Sequence, residues 1–212
     1  MRDRILDATE RLLGRLGYQK TTMDDIAMEA EVGRRSIYLH FDSKEAVALG
    51  TIDRIVDRLL ARLENLAKAE LTTSEQISRM LVDRVLFRFD SVGGYFHSID
   101  EIFRSLRSAY MVRRAGYFQK EAAIFAKVLA AGQDAGELAV NDPEACAQAL
   151  LLATNSLLPS SLSTRELGRR SEVEERVKRI ADLLVNGLLA RQRPAATRTG
   201  RSKARAKRPL VE

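Results

Sequence analysis

Residues 21–45, TTMDDIAMEAEVGRRSIYLHFDSKE, decide the fold. Thr22-Met23-Asp24-Asp25 is a capping-box pattern, with Asp where Glu or Gln is usual, and it opens a helix whose inner face is Ile26, Ala27 and Ala30. Gly33 allows a tight turn, because glycine has no Cβ to obstruct it. A second short helix then runs from Arg34 to about His40, anchored inward by Ile37 and Phe41. Asp42-Ser43-Lys44-Glu45 begins the next helix, with Asp42 or Ser43 as its cap. Upstream, Ile5, Leu6, Thr9, Leu12, Leu13 and Leu16 recur on one face of a helix that ends at Gly17. Short helices joined by a turn, the last crowded with Arg34, Arg35, Ser36, Tyr38 and His40, have the layout of a helix-turn-helix, whose final helix enters the major groove of DNA.

The residue types suit that task. Arg34 and Arg35 open the helix, and an arginine can bridge guanine O6 and N7. Tyr38 and His40 can donate to phosphate oxygens, and Leu39 can touch a thymine methyl. Thr22 and Lys44 flank the pair at helix N-termini, where backbone N–H groups attract phosphate. A lone Arg-Arg pair is more simply a solvated face. The spacing of Thr22, Gly33, Ile37, Tyr38, Phe41 and Lys44 around it favours the DNA reading.

The string ILDATERLLGRLGYQKTTMDDIA, followed by EAEVGRRSIYLHFDSKEAVA, resembles the TetR family of bacterial one-component transcriptional regulators over about residues 5–50. It repeats that family's aromatic after glycine, paired threonines, "DIA" helix and YxHF-x-SK-E close. By that resemblance, Thr22, Arg34, Arg35, Ser36, Tyr38, Leu39, His40 and Lys44 fall on positions that typically face DNA. Two positions depart from the pattern: Arg35 stands where a small residue is common, and Gly33 where a phosphate-contacting serine is common. The resemblance also implies an all-α homodimer paired through its last two helices, with a variable C-terminal domain that binds a small inducer.

Charge must be located before it is interpreted. The chain of 212 residues carries a formal charge of +6, but residues 191–212 hold eight Lys or Arg and one Glu. The remainder is therefore almost neutral, and the basic character belongs to the tail. Low hydrophobicity and high charge predict that the tail is disordered. It can serve as a phosphate-binding arm, or be simply solvated. Four prolines and few aromatics favour an all-α protein, and no apolar run reaches the ~18 residues of a membrane span. MRDRILDATE at the N-terminus does not read as a signal peptide. A single cysteine, Cys146, excludes an internal disulfide framework and fits a reducing cytoplasm.

The expected organisation is a helix-turn-helix domain at 1–46, a helical ligand-binding and dimerisation domain at 47–191, and a disordered basic tail at 192–212. Helices are expected at about 46–68, 75–90, 96–109, 111–135, 143–158 and 172–191. Nine of the twelve aromatics fall between Phe87 and Phe125. Such a cluster can pack a core or line a pocket. Phe87, Tyr95, Phe96, Phe103, Tyr110, Tyr117 and Phe118 are the candidate lining, with Arg107 and Asn155, and secondarily His97 and Arg104, as its polar groups. The helices at 143–158 and 172–191 are apolar on broad faces, which suits a two-fold dimer.

Enzyme chemistry finds no foothold. The chain has no HExxH, CxxC, GxSxG or phosphate-binding glycine loop. Two histidines and one cysteine leave little for zinc, and no cofactor is expected. His97, Ser98 and Asp100 are neighbours in sequence, which rarely yields a triad. The expected function is a ligand-responsive, sequence-specific transcriptional regulator, a repressor released from a palindromic operator. The alternative is a nonspecific or architectural DNA binder driven by its basic tail.

Overall fold

A computed structural model describes residues 1–161 and 164–190. The basic tail at 192–212 lies outside them. Among the described residues the fold is all-α. Helix α1 (Arg2–Leu16) buries Ile5, Leu6, Leu12 and Leu13 and ends at Gly17, whose φ of +85° only glycine adopts without strain. Leu16, expected on the inner face, is exposed. Helices α2 (Met23–Glu29) and α3 (Arg34–Tyr38) complete the head. Ile5, Leu6, Met23, Ile26, Ile37, Phe41 and Val47 form its private core.

The turn between α2 and α3 differs from the expectation. Gly33 has φ −66° and serves as the N-cap of α3, whereas the left-handed residue is Glu31, at φ +52°. Hydrogen bonds from Glu31 N to the Met28 carbonyl and from Val32 N to the Ala27 carbonyl impose that conformation. Arg4 on α1 donates to the Ala30 carbonyl at 2.9 Å and pins the turn from below. Helix α3 stops at Tyr38, two residues earlier than expected, because His40 and Phe41 N–H groups both close on the Ile37 carbonyl.

Helix α4 (Lys44–Ala67) is capped by Ser43, and it runs unbroken through the proposed boundary at residue 46. Its Gly50 permits close packing on the head, since a Cβ there would lie 2.7 Å from the Phe41 ring. Helix α5 (Thr73–Ser91) starts at a Thr72–Glu75 capping box. Helices α6 (Phe96–Ser105) and α7 (Arg107–Asp134) meet at Leu106, and α8 (Pro143–Thr154) is capped by Asp142. Short α9 (Thr164–Leu167) occupies part of the expected loop, and α10 (Arg170–Leu188) begins two residues early.

The main core lies among α4, α5, α7, α8 and α10, with Leu59, Leu63, Ile77, Leu81, Phe125, Leu129, Leu151 and Ala181 at its centre. Each large apolar side chain removed from water there contributes about 1.5–3 kcal/mol. A second cluster joins the head to this body: Leu13 and Tyr18 pack with Ile52, Ile55, Tyr95, Ile99 and Tyr110. Polar contacts reinforce the joint. Glu101 accepts from the backbone N–H of Tyr18 at 3.1 Å and of Gln19 at 3.3 Å, and Ser98 donates to the Leu13 carbonyl at 2.6 Å. Arg54 of α4 is almost fully buried between Asp7 at 2.6 Å and Glu10 at 2.7 Å of α1. No helix among the described residues is long and apolar enough to cross a membrane.

Candidate nucleic-acid interface and core cavity

The outward face of α3 and its flanks gathers the residues singled out in the sequence. Arg34, Arg35, Tyr38, Leu39 and His40 are exposed, and Ser36 is half-buried. Ile37 is the inward anchor that holds α3 down. Leu39 is 77% exposed, an apolar side chain presented to solvent beside a row of donors.

The cations are not equivalent. Arg34 donates through one nitrogen to both carboxylate oxygens of Asp24, each at 2.9 Å. Its guanidinium lies 5.9 Å from the Tyr38 ring centroid, and the Tyr38 hydroxyl followed by Asp24 raises its pKa. An exposed pair of this kind can be exchanged for a phosphate or base. Arg35 forms no hydrogen bond or ion pair among the described residues. Lys44 points inward instead: its ammonium donates to the Tyr18 carbonyl at 3.1 Å and lies 4.5 Å from the Tyr18 ring centroid. Thr22 is engaged in its capping box, where its hydroxyl and N–H hold the Asp25 carboxyl below the usual carboxylate range. Its position at the start of α2 is nonetheless exposed.

In the body, Phe103, Tyr110, Tyr117, Phe118 and Asn155 line one cavity, together with Ile52, Ile55, Val56 and Ile99. The other candidates lie elsewhere. Phe87 turns toward α4, with the Arg62 guanidinium 5.0 Å from its ring centroid. Phe96 packs edge-on against Phe89 at 5.3 Å, and Tyr95 is buried in the joint beneath the head. His97, Arg104 and Arg107 are exposed.

Apart from Asn155, the polar corner of this cavity was not read from the sequence. Arg84 is 2% exposed and Glu121 1%. Arg84 donates to Glu121 at 2.6 Å, to the Thr154 hydroxyl at 2.8 Å and to the Asn155 side-chain oxygen at 2.7 Å. Arg88 adds two donors to Glu121, and Arg114 completes the lining. Burial pushes the Arg84 pKa down to about 10, against the pull of Glu121. Burial alone would raise the Glu121 carboxyl, but Arg88 and Arg84 hold it below the usual range. The sequence signal is present in hindsight: Arg84 and Glu121 interrupt the inner faces of α5 and α7.

The cavity touches α4 directly. The Tyr117 hydroxyl donates to Asp53, which also accepts from Arg113. Cys146 is half-buried, and burial followed by Asp142 raises its thiol, so it is a poor thiolate.

Residues 5–50 match the family model for the bacterial regulatory proteins of the tetR family. Over 47 residues the chain is 43% identical to the biofilm operon icaADBC HTH-type negative transcriptional regulator IcaR of Staphylococcus aureus, which is 22% of this chain and 25% of that one. The match thus spans about a quarter of that relative's length. Solved structures extend the likeness to the body. A TetR/AcrR-family regulator from Thermobifida fusca is 27% identical with a TM-score of 0.62, covering 88% of this chain and 97% of that one. SmeT, solved as its triclosan complex, has a TM-score of 0.63 at 17% identity, covering 100% of this chain and 99% of its own, a likeness of fold. Residues 5–50 thus match the N-terminal domain of the tetR family of bacterial regulatory proteins, and the fold beyond them is similar to that of solved TetR-family regulators.

Proposed function

We propose that the chain acts as a homodimeric repressor that leaves a near-palindromic operator when a small molecule enters the cavity beside Tyr117. The observation that carries the DNA half is the solvent-facing set Arg34, Arg35, Tyr38, Leu39 and His40 on one short helix held down by Ile37. Arg34 and Arg35 are the proposed base readers, with Ser36, Tyr38 and His40 on phosphates and Leu39 on a thymine methyl. The N-termini of α2 and α4, at Thr22 and Lys44, are proposed to approach the backbone from either side. Two such heads, paired through α8 and α10, would meet successive major grooves. Leu152 on α8 is 61% exposed and Leu183 on α10 is 75% exposed, which suits a partner face.

The response half rests on the cavity and on α4. The cavity measures about 50 Å³. That is room for one or two waters, far below the several hundred Å³ of a drug-sized site. A ligand therefore enters by displacing side chains, and the half-buried Phe103, Tyr117 and Phe118 are the ones that can yield. Moving Tyr117 loosens its hold on Asp53, and α4 carries the change to the head. The ligand must bind the non-DNA form more tightly for this to release DNA.

The test is selection of bound duplexes from a random pool. The expected result is one near-palindrome with half-sites about one helical turn apart. A pool without an enriched sequence, with binding that vanishes when residues 192–212 are deleted, would support instead a nonspecific DNA binder driven by its tail.

A further inference from the structure

Three guanidinium groups and one carboxylate converge on the polar corner of the cavity. Arg84 is fully engaged, donating to Glu121, Thr154, Asn155 and the Leu151 carbonyl. Arg88 gives both terminal nitrogens to Glu121. Arg114 lines the same cavity and forms no hydrogen bond or ion pair among the described residues. Ile52, Ile55, Phe103, Tyr110 and Phe118 make much of the rest of the lining apolar. The corner is therefore two positive charges in excess, on a cavity of about 50 Å³ in which Arg84 is buried and Arg88 and Arg114 are half-buried. Uncompensated charge in such surroundings is costly, and it is best relieved by an anion that accepts hydrogen bonds.

We infer that the cavity selects an amphipathic carboxylate, its head group on Arg114 and the free edge of Arg88 and its apolar chain or ring among the aromatic side chains. A planar carboxylate matches a guanidinium edge with two parallel hydrogen bonds, which a neutral amide cannot supply. A cationic ligand is disfavoured, because Glu121 already has two arginine partners. This inference rests on the ligand-responsive reading above, and names the class of molecule that its cavity takes.

The test uses the full chain and isothermal titration with octanoate and 4-phenylbutanoate, each beside its amide of the same shape. Carboxylates are expected to bind at least about tenfold more tightly than the amides. Arg114→Met should remove about that tenfold preference, weakening carboxylates far more than amides, without lowering the unfolding midpoint. Arg114→Lys, which keeps the charge and loses the fork, should fall between. Amides that bind as well as carboxylates, or carboxylates that bind Arg114→Met undiminished, would overturn the anion inference and leave a ligand-responsive cavity standing. No binding by any of the four would overturn the inference as well. DNA release by structurally unrelated compounds then judges the broader reading on its own.

Discussion

The hydroxyl of Tyr117, on the wall of the cavity, donates to Asp53 on α4, the helix whose first residue is Lys44 at the foot of the head. This hydrogen bond adds to Ile52, Ile55 and Val56, which line the cavity from α4, in tying the proposed ligand site to the helix that follows the proposed DNA reader. Tyr117→Phe keeps the ring and removes the bond. It should lower the unfolding free energy by about 1.5–3 kcal/mol, as for a hydrogen bond to a charged group. Urea unfolding checks this, and an unchanged midpoint would mean that the contact holds nothing together.

The buried cluster predicts an asymmetry. Glu121→Leu leaves Arg84 and Arg88 without their carboxylate and should cost about 3–5 kcal/mol. The double variant Arg84→Met with Glu121→Leu should recover much of that loss, because the fully buried charge of Arg84 is then gone and only the half-buried Arg88 and Arg114 remain. Denaturant titrations of the two variants decide it. A double variant as unstable as the single one would show that the ion pair is not the source of the cost.

Acid should weaken the body through the same carboxylate. Burial acts to raise Glu121, yet Arg88 and Arg84 bring its folded value below the ordinary 4.5. The unfolded chain thus takes up this proton first, so the contribution is complete above the ordinary value and is lost as pH falls through the folded one. Unfolding free energy measured against pH should fall less steeply in Glu121→Gln below pH 4.5 than in the parent. Identical slopes would remove Glu121 from the acid response.

On the head, Arg34→Ala and Arg35→Ala should each lower affinity for the selected operator about ten- to a hundredfold while leaving the helical content unchanged. Lys44→Ala should behave differently. Its ammonium holds the Tyr18 and Gln19 carbonyls, so its loss should show first in thermal stability. Filter binding beside circular dichroism separates the two kinds of effect.

What could be read in advance followed from how local each interaction is. Thr22 with Asp25, Thr72 with Glu75, Ser43 and Asp142 cap their helices from within three residues, so their signals lie in the sequence itself. The α2–α3 turn misled, because Gly33 is the conspicuous residue while backbone bonds around Ala27 and Met28 put the left-handed conformation on Glu31. The sequence predicts that the helix from residue 143 runs to about 158. In the structure the α-helix ends at Thr154 and a 3-10 turn, Asn155–Leu157, carries on to nearly the expected end, with Arg84 donating to the Leu151 carbonyl, Thr154 and Asn155 where the two meet. That partner is some seventy residues away in sequence, and nothing near Thr154 announces it. The cavity was visible as an aromatic region. Its charges were not, since an arginine or glutamate within a helix reads as a solvated face until the fold buries it.

The central claim is that this head reads sequence through α3. Fluorescence anisotropy of the full chain against the selected duplex and against a scrambled duplex of equal length, at physiological salt, tests it most directly. The account predicts two chains per selected duplex and an affinity at least about a thousandfold above that for the scrambled one. Equal affinities for the two duplexes would contradict it.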